Sequence, residues 1–243
     1  MRNIQFIALV FIVLGLGSCR FDDQTFLGCT RSLGPVVEDS FFMGDFDGIK
    51  ACNGELIEIR QEDFFSVLVI APESIMPIVN LDNNNGLLEI DYDNCLENGA
   101  GSDVTIVISM PELRSIDISN NTELVGINTF IVDDLDIRLR DIGLVDLVLN
   151  ANTIDVNAKD RSELFLRGIC GSAEYRLRDA TEVEAFDLIT EFADIDVADN
   201  AELYLTALEL LEGRIRDSGE VFFKGLPFID VIVEDAGHLV DAN

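Results

Sequence analysis

Seven short stretches decide the reading: Ile118–Leu124 (ISNNTEL), Leu139–Val145 (LRDIGLV), Ala158–Leu164 (AKDRSEL), Leu177–Val183 (LRDATEV), Val197–Leu203 (VADNAEL), Ile215–Val221 (IRDSGEV) and Val233–Leu239 (VEDAGHL). Each has an apolar residue, any residue, Asn or Asp, two further residues, usually Glu, and a closing apolar residue. Successive starts lie 21, 19, 19, 20, 18 and 18 residues apart. A fixed period near twenty, carried by short motifs with free residues between them, is the mark of a stacked solenoid.

The physics of one copy explains why it recurs. Before the motif, apolar residues alternate, as in Ile116-x-Ile118, Ile154-x-Val156-x-Ala158 and Ile195-x-Val197. After it they alternate again, as in Val145-x-Leu147-x-Leu149, Leu164-x-Leu166 and Leu203-x-Leu205. Period two places those side chains on one face of a strand. Between the strands stands Asn120, Asp141, Asp160, Asp179, Asp199, Asp217 or Asp235, a residue type that bonds its own backbone two positions on and tolerates turn conformations. Each copy therefore reads as strand, tight corner, strand. Such a period is too short for a β-α unit but fits one coil of an all-β, single-stranded β-helix, expected to be right-handed, in which each strand pairs with its equivalent one coil away. At about 4.8 Å per coil, seven copies make a rod section on the order of 30 Å tall.

Working outward, residues 1–18 are an address. Arg2 supplies a positive charge, and Ile4–Leu16 is an apolar run of signal-peptide length, too short to span a bilayer. It ends in Leu16-Gly17-Ser18-Cys19, which resembles the lipobox of bacterial lipoproteins and implies that Cys19 is acylated. Asp22 and Asp23 follow closely and look like the surface-export signals of Bacteroidetes lipoproteins. Residues 19–43 read as a tether. From Gly44 the chain becomes short strands, with a helical turn in Pro72–Val79 and a hairpin at Asn84-Asn85-Gly86. Asp103–Met110 is a strand closed by Pro111, and no linker separates it from the repeats, so 44–243 is one domain. The last motif stands four residues before Asn243, which leaves its coil uncovered and prone to pair with another copy of the chain.

Composition excludes several partners. The 46 acidic residues set a formal charge of −30, a field that repels nucleic acid and anionic membrane surfaces. Contact with a membrane is therefore expected through the lipid alone. With Cys19 acylated, Cys29, Cys52, Cys95 and Cys170 remain, an even number in an exported chain, and one or two disulfides are expected in any of three pairings. No CxxC pair marks a zinc site.

Stacking aligns Asp141, Asp160, Asp179, Asp199, Asp217 and Asp235 in one column, with Glu123, Glu163, Glu182, Glu202 and Glu220 in a second. Carboxylates about 5 Å apart repel by about 1 kcal/mol in water and by more at a half-buried surface. Three remedies are open: Arg140, Lys159, Arg178 and Arg216, each preceding its Asp, as a basic ladder; each Asp hydrogen-bonding its own corner; or bound calcium, for which hard oxygen ligands in a row are suited. The self-capped turn is the expectation, with no cofactor, since the paired glycines of calcium-binding β-rolls are absent. Catalysis has little support. His238 is the only histidine, no GxSxG elbow surrounds a serine, and a chance pair of carboxylates is inevitable at this acidity. The absence of Trp weakens a sugar-stacking cleft.

Six further landmarks carry a family resemblance: Phe46-Asp47-Gly48-Ile49, Glu58-Ile59-Arg60-Gln61, Ala71-Pro72-Glu73, Gly86–Ile90, Met110–Leu113 with Ile116, and Phe222–Pro227. In this order they resemble the DUF2807 family, the auto-transporter adhesin head GIN domain. The resemblance implies a β-helix and an envelope location. Where family members usually carry Ser-Gly-Ser at the corner, this chain has Arg-Asp-Ser-Gly-Glu or Arg-Asp-Ala-Thr-Glu, which makes it unusually acidic. The combined expectation is an outer-membrane lipoprotein, facing the periplasm or the cell surface, that binds an extended glycan or an envelope or host protein without catalysis. The alternatives are a polysaccharide-processing enzyme using clustered Asp residues and a passive spacer.

Overall fold

The structure, a computed structural model, describes residues 31–92 and 101–243. The expected signal peptide, Cys19, Cys29 and Cys95 lie outside the described residues. In chain order the strands are β1 (Val36–Phe41), β2 (Gly48–Ala51), β3 (Leu56–Gln61), β4 (Ser66–Pro72), β5 (Val79–Asn84), β6 (Leu87–Tyr92), β7 (Thr105–Met110) and β8 (Ser115–Ile118), with a 3-10 turn at Met76–Ile78 between β4 and β5. There follow β9 (Glu123–Leu139), β10 (Leu144–Ala158), β11 (Glu163–Leu177), β12 (Glu182–Val197), β13 (Glu202–Ile215), β14 (Glu220–Lys224), β15 (Phe228–Val233) and β16 (His238–Asp241).

The seven motif copies lie directly over one another. Their opening residues pair in one unbroken parallel column, Ile118, Leu139, Ala158, Leu177, Val197, Ile215 and Val233. Their closing residues form a second column, Leu124, Val145, Leu164, Val183, Leu203, Val221 and Leu239. The expected β-solenoid is therefore the architecture. Apart from Val233 and Leu239 on the last rung, every member of both columns is fully buried, and each burial of a Val, Ile or Leu contributes roughly 2 kcal/mol. The varying repeat length is absorbed away from the corners. Register shifts fall between Asp146 and Val148, between Phe165 and Gly168, and between Ala185 and Ile189. In mid-strand two successive residues are often both exposed, as at Asp133-Asp134, Asn152-Thr153, Glu191-Phe192 and Leu208-Glu209, and this slip in the alternation marks the bend where each long strand turns back. Gly213 shows how tight the stack is. Its φ is +124°, and a Cβ there would lie 2.0 Å from the Ile195 carbonyl oxygen.

The N-terminal rungs are not stacked in chain order. β2 lies between β6 and β8, and β3 between β7 and β9, all parallel. The rung made by β6 and β7 is then covered by antiparallel strands, β5 on β6 and β4 on β7. The expected hairpin turns at Asn85 and Gly86, both at positive φ, and the expected helical turn is the 3-10 turn. β1 falls within the stretch read as tether and pairs antiparallel with β4. Its Phe41 packs on the core, which ties the chain from Val36 onward to the folded body. Cys52 is disulfide-bonded, with its partner outside the described residues. Cys170 is a buried free thiol, so it takes no part in the expected pairings. Among the described residues no helix is long and apolar enough to cross a membrane.

The β2–β3 corner buries a charge-bearing group. Glu55 takes the place that Thr122 holds one rung on, since the next residues, Leu56 and Glu123, are paired. It is 1% exposed, and Oε2 accepts a hydrogen bond from the Asn53 N–H at 3.0 Å. Oε1 has no partner, nor has the buried Tyr92 hydroxyl. Desolvation, helped by the nearby charge of Asp91, pushes the Glu55 carboxyl up to about 7. A folded-state value above the ordinary 4.5 means the folded chain holds this proton more tightly than the unfolded one. Its contribution is fully present below about pH 4.5 and is lost as pH rises through about 7, a difference on the order of 3 kcal/mol. Glu55→Gln is therefore expected to gain stability over the natural protein between about pH 5 and about pH 8, read as urea midpoints. Parallel curves for the two proteins would show that Glu55 is not the group responsible.

Candidate functional site

The corner residues keep one geometry through the stack. Asn120, Asp141, Asp160, Asp179, Asp199, Asp217 and Asp235 all have φ between +55° and +71°, the left-handed region that Asp and Asn enter more readily than other side-chain-bearing residues. The rung-to-rung backbone ladder runs through the corner. The N–H groups of Arg161, Ala180 and Asn200 donate at 2.8 Å to the carbonyls of Asp141, Asp160 and Asp179, the corner residues one rung earlier. The fifth motif position, open in the sequence pattern, points inward and is small throughout: Thr122, Gly143, Ser162, Thr181, Ala201, Gly219 and Gly237. Thr122, Ser162 and Thr181 are buried, and the hydroxyl oxygens of Ser162 and Thr181 meet at 3.3 Å across adjacent rungs. A run of small residues at one place in the motif was the available signal for this inner column.

Asp141, Asp160, Asp179 and Asp199 line an open trough of about 790 Å³ along the corner edge, with Asn120 and Asn121 at one end. Asp217 and Asp235 continue the column in the same backbone conformation. The expectation that each Asp caps its own corner is corrected. Asp160, Asp179 and Asp199 reach one rung back, where their Oδ2 atoms accept from the N–H groups of Asp141, Asp160 and Asp179 at 3.3 to 3.4 Å. In the left-handed turn the carboxylate lies along the stack, toward the neighbouring rung.

The basic ladder is corrected too. Arg140 pairs with Asp117, and Arg178 and Arg216 both pair with Asp196, while Lys159 alone approaches its corner residue, Asp160, at 3.7 Å. The reason is strand alternation: a residue just before the corner still faces outward from the preceding strand and meets the charges of that face. Desolvation pushes the Asp196 carboxyl up, but hydrogen bonds from Arg178 and Arg216 outweigh it and hold it below the ordinary range. That face also carries a column absent from the sequence reading, Asp136, Asp155, Glu174, Asp194, Glu212 and Asp230, all in register. Arg138 pairs with Asp136, and Arg176 pairs with both Asp155 and Glu174.

The second expected column is in place on the other face, where Glu163, Glu182, Glu202, Glu220 and finally His238 are paired in sequence. Glu123 belongs to the same column but is separated from Glu163 by Leu144. Desolvation and then the charges of Glu202, Glu184 and Glu163 raise the Glu182 carboxyl above its ordinary value. Beside this column Tyr204 and Phe222 stack with ring centroids 4.8 Å apart and planes 7° from parallel, and Phe186 meets Tyr204 edge-on. The Lys224 ammonium sits 4.0 Å above the Phe186 ring. Tyr204 and Phe222 thus cover one face of each other, and Lys224 covers one face of Phe186.

The exposed apolar residues collect at the bend. Ile131, Ile169 and Ile189 precede it on their rungs, and Phe192 and Leu208 stand on it, all about half exposed or more. Toward the C-terminal rungs Leu226 and Phe228 extend the same edge. On the first rungs the bend is polar, with Asn152 donating to Asp133 Oδ1 at 2.9 Å and Thr153 donating to Asp134. Among the described residues no group of three His, Cys, Asp or Glu side chains is placed to hold a metal ion.

A stack of corner-turned rungs with one short motif per rung places the protein among the β-solenoids. The chain belongs to the DUF2807 family, "Putative auto-transporter adhesin, head GIN domain", whose model matches residues 45–227. Among solved structures it is similar to a putative adhesin from Bacteroides fragilis, with 19% identity, 86% of this chain and 98% of the other covered, and a TM-score of 0.80. It is also similar to a putative lipid binding protein from Parabacteroides distasonis, with 16% identity, coverage of 88% and 100%, and a TM-score of 0.70. A putative adhesin from Parabacteroides merdae follows at 19% identity, coverage of 87% and 99%, and a TM-score of 0.63. A search of curated proteins finds no match.

Two outcomes follow at the corner. Asp179→Asn keeps a residue suited to the left-handed turn and removes one charge between Asp160 and Asp199. It is expected to raise the unfolding free energy, read from urea midpoints, by on the order of 1 kcal/mol at low ionic strength, a gain that shrinks in about 1 M salt. Asp179→Ala is expected to lower it by about 1–2 kcal/mol, the cost of the left-handed conformation. Because backbone N–H groups already engage the carboxylates, the melting temperature is expected to stay unchanged when EDTA is added; a large drop would show a cation holding the column.

Proposed function

We propose that the protein is a lipid-anchored adhesion module of the bacterial cell envelope that binds a partner protein and performs no catalysis. The observation that carries this reading is the row of exposed apolar residues on successive rungs at the bend, Ile169, Ile189, Phe192 and Leu208. Single exposed apolar residues are ordinary, but a contiguous patch marks an interaction surface. Asp187, Glu191 and Glu209 are exposed beside and between these residues, so the complementary partner carries bases as well as apolar side chains. A protein meets that description better than a glycan does. The rigid rungs hold the patch in its binding form, so little ordering entropy opposes association.

The adhesin descriptions of the family and of two neighbours agree with this role. The lipid-binding name of a third concerns that protein; here the acidic margins disfavour an anionic lipid surface. The arrangement of the corner Asp residues supports a non-catalytic reading. They repeat in one environment, whereas glycosidic cleavage needs two carboxyls in different roles. His238 is exposed and lies opposite Glu220 on the last rung.

The anchor reading rests on Leu16-Gly17-Ser18-Cys19 and places the protein at the outer membrane. Cys19→Ala is expected to move the protein from the membrane fraction to the soluble fraction and to abolish incorporation of labelled fatty acid. Retention of both would end the lipoprotein reading. For the binding reading, the full chain and an Ile189→Asp/Phe192→Asp double variant are to be probed against arrays of proteins and of glycans. Binding to basic proteins that is lost in the variant is the expected result. Binding to glycans alone, or binding indifferent to the variant, would refute it.

A further inference from the structure

The backbone at the bend is already engaged. β10, β11 and β12 are paired with the neighbouring rungs on both sides, up to the bend and again beyond it. β9 is the exception, since β3 pairs with it only as far as Gly126 and β8 only from Ser115↔Asp136 onward. There the Gln61 side chain fills in. Its Oε1 accepts from the Ile131 N–H at 2.7 Å, and its Nε2 donates to the Ile131 carbonyl at 3.0 Å. Asn128 does the same for Gln61, accepting from its N–H and donating to its carbonyl, both at 2.9 Å. A partner that meets the bend therefore finds little free backbone to pair with and is held through side chains.

Those side chains form a stripe along the stack. Ile131, Ile169 and Ile189 share one outward column, interrupted by Asn150 and followed by Thr206. Leu208 carries the stripe onto the bend of β13, and Phe192 flanks it on the far side. The exposures run from 67% at Ile131 to 45% at Leu208. From β9 to β13 the stripe crosses four rung spacings, on the order of 19 Å. Asp133, Asp187, Glu191 and Glu209 are exposed beside it, and among the described residues none of the four is ion-paired. The nearest bases are taken, Arg167 by Asp146 and Lys224 by the Phe186 ring.

We propose that the partner element received by this stripe is a basic amphipathic α-helix laid along the stack, its apolar face on the isoleucines and its lysines or arginines against these acids. The proposal rests on the adhesion reading and names what that surface recognises. A helix satisfies its own backbone, so it asks nothing of rungs that have no edge to offer. Its apolar face returns once per turn, about every 5.4 Å, against a rung spacing of about 4.8 Å. About 13 residues, between three and four turns, then cover the stripe and drift from it by only about half a turn. An extended segment repeats its side chains on one face about every 6.6–6.8 Å and falls out of step within two rungs. The unpaired acids supply the opposite charge that steers a basic helix and rejects an acidic one.

Two fluorescent peptides of identical Leu and Lys content, each about 18 residues long, separate the cases. In one the Leu residues follow helical spacing; in the other Leu and Lys alternate. Anisotropy is read with the full chain carrying Cys19→Ala, which dispenses with detergent, in about 0.15 M salt. The helical peptide is expected to bind about tenfold more tightly than the alternating one. Ile189→Asp/Phe192→Asp and, at the far end of the stripe, Ile131→Asp are each expected to weaken it about tenfold, with unchanged circular dichroism. Both variants add negative charge, so a merely electrostatic association would strengthen instead. Asp160→Asn/Asp179→Asn at the corner is expected to leave the affinity unchanged. Equal binding of the two peptides, indifference to the stripe variants, or loss in the corner variant would each overturn the proposal. If basic proteins on the array still bound through Ile189 and Phe192, the helix would fall and the adhesion reading would stand; if they did not, both would fall.

Discussion

Parallel pairing in register is the constraint on which everything else depends. Each rung hydrogen-bonds to the next through equivalent residues, so any choice made at one motif position is repeated about every 4.8 Å along the stack. A buried Leu over a buried Val is favourable at every repetition, and the core grows rung by rung. A charge, a strained turn or an oversized side chain is unfavourable at every repetition for the same reason. The motif is thus the set of residues that tolerate being stacked on themselves. Asp or Asn holds the left-handed corner, a small residue fills the space inside it, and β-branched or leucyl side chains flank it.

The acidic columns test that rule, because stacking like charges opposes the stability that stacking supplies. The molecule answers differently on each surface. On the face before the corner, arginines from neighbouring positions bridge the acids, and Asp196 is shared by Arg178 and Arg216. At the corner itself the carboxylates accept from backbone N–H groups one rung away, so the turn supplies partial positive charge that no cationic side chain provides. On the Glu163–Glu220 face no such relief is present at Glu182, and desolvation, followed by repulsion from Glu202, Glu184 and Glu163, raises its proton affinity. Some of that cost is offset by the neighbouring aromatic ladder, in which Tyr204 and Phe222 stack at the rung spacing and Phe186 meets Tyr204 edge-on.

How far the sequence reveals this depends on how local each feature is. The rungs, the corner residues and the Asn85-Gly86 turn were readable because each is written in a few adjacent residues. The insertion of β2 and β3 between later rungs was not, since those strands precede the periodic region and parallel pairing leaves no mark at the sequence positions it joins. The Arg140, Arg178 and Arg216 partners were missed because adjacency to Asp in the chain suggested contact, whereas alternation sent the side chains to the preceding face. Nothing in the local sequence marks Glu55 as buried; only its pairing position beside Thr122 reveals a buried corner. The apolar bend was hidden by the register shifts that absorb the unequal repeat lengths, which move Ile169, Ile189 and Leu208 out of any fixed motif position.

The ends of a solenoid pose a problem that its middle does not, because an in-register stack always presents one more edge able to accept a rung. Antiparallel strands solve it at the N-terminal end: β4 and β5 occupy the edge while running against the direction that a further parallel rung would need. The C-terminal rung has a different character, and the family match ends at residue 227, just before β15 begins. There the inward positions stay apolar, so the rung still continues the core, while His238 follows the Glu column, Ile232 stands over Arg214 and Glu234 takes the motif place of Arg216. With Asp230, Glu234, Asp235 and Asp241 and no base, this rung carries charge of one sign along its edge, and charged side chains on an edge strand are a device that keeps further strands from pairing with it.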